Sequence, residues 1–268
     1  MPRSSKQTSR LSALLLGMLS CVLIGNTTGV AFAADKIDMS APMGIANEQD
    51  LERWMTYYYL HPQPDLLVPA LMLADQKGLL QGDAQAPFTA FISQVMAQNP
   101  TRIPGWFQQL QVLKDKSKPA ILTALWWSNT KEGKEQLAAV IKSLPEKAQA
   151  DLQSQCAGNA TPIEKMDITS PAVLDELWGA FCATGDEKYV NRLMSTLPWV
   201  DADKDYNKLM IGGAARWSLT SNAQQHPKVM KLVLKTRETQ PALRKVLDQV
   251  VSGTKKTAAA PAKTADAK

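Results

Sequence analysis

The hydrophobic positions of this chain fall in short bursts separated by polar breaks, and the bursts come in pairs. Over residues 178–197, WGAFCATGDEKYVNRLMSTL, an aromatic-bearing apolar segment stops at a polar break, and a second apolar segment follows. The same arrangement can be read from Trp54, Phe91, Trp127 and Trp217. Successive anchors lie 37, 36, 51 and 39 residues apart, the long interval being the one that holds an extra polar stretch over 146–168. Leu66, Ile103, Val190 and Val229 each follow their anchor by twelve residues, and Leu137 follows Trp127 by ten. A period in the high thirties is that of helix-pair repeats, whose units bury their apolar stripes against their neighbours. The pattern predicts an all-α fold of about five antiparallel helical hairpins stacked as an α-solenoid-like array, with an irregular helical bundle as the alternative. The units follow neither the tetratricopeptide nor the ankyrin consensus. No alternating β-branched run lies between turn signals, so no strand is expected.

Capping residues set the expected boundaries. Asn47 precedes a helix whose first turn carries Glu48 and Asp50, the acids that a helix N-terminus favours. His61-Pro62-Gln63-Pro64 ends that helix and opens the next, and Ser170-Pro171 reads as an N-cap followed by proline at the first helical position. Thr184 and Glu187 have capping-box spacing, and a last helix is expected over 241–251. Residues 252–268 contain no Leu, Ile, Val or aromatic residue, so they lack the apolar surface that would offset their ordering entropy and read as a disordered basic tail.

The amino-terminal end changes the picture of where the protein works. Arg3, Lys6 and Arg10 precede an apolar run over 11–24, and small residues then lead to Ala31-Phe32-Ala33. Positive, apolar, small is the order of a secretory signal, and the run is short for a membrane span. Residues 1–33 are therefore expected to be a signal peptide, residues 34–46 a lead-in, and 47–251 a helical-repeat domain in the periplasm. An uncleaved signal anchoring the chain to the membrane is the alternative. The whole chain holds 30 basic and 25 acidic residues, but the segment between signal and tail holds 23 basic and 24 acidic. That balance gives no support for nucleic-acid binding.

Chemistry is sparse. His61 and His226, the only histidines, both precede a proline at a helix break, and neither has metal-site spacing. Asp201, Asp203 and Asp205 alternate like a calcium loop, but the sixth and twelfth positions are Tyr206 and Gly212 where that loop needs glycine and glutamate. No nucleophile elbow or phosphate-binding loop is present, so no catalytic, metal or cofactor residue is assigned and no cofactor is expected. Asp175 and Glu176, like Glu132 and Glu135, read as helix-surface acids. Cys156 and Cys182 remain after signal removal, and an even cysteine count in an exported chain predicts a disulfide between them. Tyr57, Tyr58 and Tyr59 are consecutive, so on a helix they point about 100° apart and cannot all be core. Trp126 and Trp127 pose the same problem. These five rings form the expected binding surface for a protein or peptide in the cell envelope. The alternative function is hydrolysis of an envelope polymer by paired carboxylates.

Overall fold

The computed structural model describes residues 44–258; the expected signal peptide, the lead-in up to residue 43 and residues 259–268 of the expected tail lie outside it. All regular structure among the described residues is helical, as the sequence predicts. Where one domain is expected over 47–251, these residues form two compact units, 44–195 and 196–258.

The first unit contains α1 (Glu48–Tyr57), α2 (Leu67–Lys77), α3 (Gln85–Gln98), α4 (Ile103–Leu110), α5 (Lys118–Trp127), α6 (Lys131–Lys142), α7 (Glu146–Gln155), α8 (Pro171–Thr184) and α9 (Glu187–Met194). Its centre is α3, which has no charged residue along its length. A helix apolar on all sides must be enclosed, and Phe88, Phe91, Ile92, Val95 and Met96 are all buried. α8 and α5 pack on it. At the α3–α8 crossing the two backbones nearly touch: a Cβ added to Gly179 would stand 2.2 Å from the Pro87 carbonyl oxygen. Trp54, Tyr58 and Phe91 fasten α1 to α3 as three mutually edge-on rings with centroids 5.2–5.4 Å apart, the geometry that aromatic quadrupoles favour.

This packing corrects the expected array. Sequence neighbours do pair, as in α1–α2, α5–α6 and α8–α9, but the most extensive contact joins α3 to α8, two helices far apart in the chain. A solenoid unit touches only its neighbours. The anchors also occupy unlike places, with Trp54, Phe91 and Trp178 buried, Trp127 half-buried and Trp217 39% exposed. The first unit is a helical bundle around α3, held by long-range contacts that a local period does not encode.

Several local expectations are refined. Asn47 caps α1, accepting the Asp50 N–H at 3.0 Å. α8 begins at Pro171, but the Ser170 side chain makes no capping bond. Asp186, rather than Thr184, caps α9 by accepting the Lys188 N–H at 3.0 Å; the Thr184 hydroxyl instead bonds back to the Ala180 carbonyl at 2.8 Å. The Cys156–Cys182 disulfide is not formed, and both cysteines are free. Cys156 sits at the end of α7, which packs on α6, whereas Cys182 packs against the core from α8. The irregular stretch between them is tied back by other means. Asn129, at φ 53°, exchanges two hydrogen bonds with the backbone of Ala160, at 3.0 and 2.9 Å. Arg192 donates to the Met166 carbonyl at 3.1 Å, and Lys188 pairs with Glu164 at 3.3 Å.

The second unit contains a 3-10 turn (Leu197–Asp201), α10 (Tyr206–Gln225), α11 (Pro227–Thr239) and α12 (Arg244–Ala258). α10 lies against the turn, α11 and α12. Its inner side buries Ile211, Ala215, Leu219 and Ala223, which meet a core that includes Val229, Val233, Leu247 and Val250. α12 continues seven residues past the end expected at 251, and Thr254 is buried, so the start of the expected tail is helix.

Candidate functional site

The aromatic runs singled out by sequence are largely construction. Tyr58 is 1% exposed and part of the three-ring cluster, which removes it from any binding surface. Tyr57 and Tyr59 are half-buried. The Tyr59 N–H donates to the Cys182 carbonyl at 3.0 Å, and its ring packs on Phe181 at 5.1 Å, which docks the end of α1 onto α8. Burial pushes the Tyr58 and Tyr59 hydroxyls up to about 12. Trp126 and Trp127 are half-buried at the end of α5. The first run belongs to α1, which meets α2, α8 and, through Phe91, α3; the second belongs to α5, which meets α3 and α6.

On α8, burial perturbs two acids and a thiol. Asp175 and Glu176 are the only charged residues of α8, a helix otherwise taken up by the core. Burial, and secondarily the charge of Asp83, raises Asp175 to about 7; burial and then Asp175 itself raise Glu176 to about 7. These are the perturbations of a catalytic carboxylate pair, yet consecutive helix residues diverge by about 100° and so do not face one another across a substrate. Burial also raises the Cys182 thiol to about 12, which leaves essentially no thiolate at neutral pH to act as a nucleophile.

The histidines and the aspartate loop take structural places. His61 is exposed in the turn after α1. His226 is 0% exposed where α10 meets α11, and burial lowers it to about 4. Asp205 caps α10, accepting the Lys208 N–H at 3.0 Å, while Asp201 and Asp203 are exposed.

The feature that sequence reading missed is the outer face of α10. At about 100° per residue, Tyr206, Met210, Gly213 and Trp217 form one line along the helix, with Leu209 and Arg216 beside it. Tyr206 is 75% exposed, Met210 48%, Trp217 39% and Leu209 36%. The same face turns polar farther on, at Thr220, Ser221 and Gln224. α10 is thus apolar on two opposite sides over its first three turns, and only one side is covered within its unit. The 4-3-4 spacing of Tyr206, Met210, Gly213 and Trp217 is visible in sequence, but taking Trp217 as a buried repeat anchor hides it.

The adjacent glycines behave differently. A Cβ on Gly212 would lie 2.5–2.6 Å from the backbone of Val200 and Trp199, so the turn needs a glycine there. A Cβ on Gly213 would meet nothing within 4 Å.

Charge also separates between the units. Residues 44–195 carry 13 basic and 17 acidic side chains, and residues 196–258 carry 11 basic and 5 acidic. Together the described residues carry 24 basic and 22 acidic side chains, a near-neutral sum of an acidic and a basic unit. Compared with protein families, curated proteins and solved structures, the chain matches none.

Proposed function

We propose that this is a non-catalytic helical protein, exported to the periplasm, that binds a protein or peptide partner in the cell envelope. The observation that carries the reading is the exposed line of Tyr206, Leu209, Met210 and Trp217 on α10. A contiguous exposed apolar surface of several large side chains marks a contact site. Tyr, Trp, Met and Arg are the residue types enriched where proteins meet. The order of charge, apolar run and A-x-A site at the amino terminus supports export. No helix among the described residues is long and apolar enough to cross a membrane. The test is photo-crosslinking in intact cells from positions 206 and 217, followed by fractionation. The expected result is a discrete protein adduct in the envelope fraction. A chain that stays in the cytoplasm, or that yields no adduct from either position, overturns the reading.

A second reading, hydrolysis of an envelope polymer, draws on the raised Asp175 and Glu176 carboxyls. Their divergence along one helix argues against it. Turnover of cell-wall polymer by the purified chain, abolished by both Asp175→Asn and Glu176→Gln, would put this reading in place of the first.

A further inference from the structure

We infer that the outer face of α10 receives an acidic amphipathic helix from another protein, laid along the line from Tyr206 to Trp217 and seated over Gly213. The inference rests on the binding reading and names the partner's chemistry. Glycine inside a helix costs about 1 kcal/mol relative to alanine. Gly212 offsets that cost by admitting the Trp199–Val200 backbone, whereas no contact among the described residues uses the missing Cβ of Gly213. Gly213 lies in the middle of the exposed line, between Met210 and Trp217. The notch it leaves lets a second backbone come close while flanking side chains interdigitate, the ridge-and-groove packing of two helices.

Length and charge narrow the occupant. From Tyr206 to Trp217 the line runs about 16 Å, or three helical turns, after which the face becomes polar. This is the footprint of a short helix. The unit carries eleven basic side chains against five acidic ones. Asp201, Asp203 and Asp205 precede the line at its Tyr206 end, where Lys208 pairs with Asp205 at 3.6 Å, and Arg216 borders the line at its Trp217 end. An acidic helix complements that surplus. A second copy of the same face would set two basic units against each other, and a lipid surface has no use for a notch.

The test is selection of helical peptides of about five turns from a display library, using the full chain as bait. The expected winners carry an apolar i, i+3/i+4, i+7 stripe flanked by Asp and Glu. Binding of a winning peptide should weaken at least about tenfold in Gly213→Leu and in Trp217→Ser, both judged folded by circular dichroism; that fold-change is the loss of one central contact. It should also weaken severalfold as ionic strength rises, because the flanking charges are exposed. Enrichment of basic or neutral peptides, binding unaffected by either variant, or no enrichment overturns the inference. So does salt-resistant self-association through this face, or preferential binding to anionic phospholipid vesicles. Protein adducts from positions 206 and 217 without an acidic-helix winner would sink this inference and leave the binding reading standing; absence of both would remove both.

Discussion

The two units put their aromatic side chains to opposite use. In the first, Trp54, Tyr58, Phe91 and Trp178 are enclosed around a charge-free central helix. In the second, Tyr206 stands in solvent and Trp217 is partly exposed on a helix whose other side makes the core. Both helices, α3 and α10, have weakly one-sided apolar patterns. What separates them is coverage: α3 is enclosed by helices from elsewhere in the chain, and α10 has cover from its own unit on one side only. An apolar helix face therefore signals core or contact surface according to what the rest of the fold brings to it.

The largest predicted effect comes from truncating a tryptophan on each side of this divide. Trp178→Ala should destabilise the first unit by about 3–5 kcal/mol, the usual loss for a buried aromatic ring. Trp217→Ala should cost distinctly less, about 1–2 kcal/mol, because its ring is 39% exposed. Urea unfolding of both variants checks the pair, and similar losses in the two would erase the distinction between core and contact tryptophans.

The units should also respond oppositely to pH. His226 is lowered to about 4 by burial, so unfolding takes up a proton between pH 4 and 6.5. The stability that it contributes is present above about pH 6.5 and is lost as pH falls toward 4, by about 3 kcal/mol for the second unit. Asp175 and Glu176 are raised to about 7, so their contribution has the other sign. It is present below their ordinary range near pH 4 and is lost as pH rises through about 7. Amide hydrogen exchange read separately in α8 and α10 from pH 4 to 8 should show protection falling with pH in α8 and rising in α10. His226→Asn should flatten the second trend. Asp175→Asn should lower the Glu176 pKa by removing the neighbouring charge, weakening the first trend.

The adjacent glycines give the smallest but most local contrast. Gly212→Ala should destabilise by about 1–3 kcal/mol, since the added methyl collides with backbone. Gly213→Ala should stabilise by about 0.5–1 kcal/mol through helix propensity alone. Thermal melts decide the signs, and a loss in both would mean that Gly213 has an internal role.

Much of the local structure is legible in the chain. Asn47 acts through its side chain on a backbone N–H three residues on, and the Pro62–Pro64 break and Pro171 act through their own rings, so the helices they bound can be read directly. The tertiary arrangement is less legible. The α3–α8 crossing depends on Gly179 admitting the Pro87 carbonyl, a fit between segments that no local period reports. Cys156 and Cys182 illustrate the same limit, because an even count says nothing about where the two sulfurs end up. Tyr58 and Trp217 exchange their expected roles for this reason: whether a ring is covered depends on helices distant in sequence.

The most direct test of the central claim is the yield of photo-crosslinked protein from positions 206 and 217 compared with positions 57 and 126 in intact cells. A discrete envelope protein attached from 206 and 217, with little from 57 and 126, is the expected result. Equal yields from all four positions, or adducts from 57 and 126 alone, would contradict the assignment of the contact surface to α10.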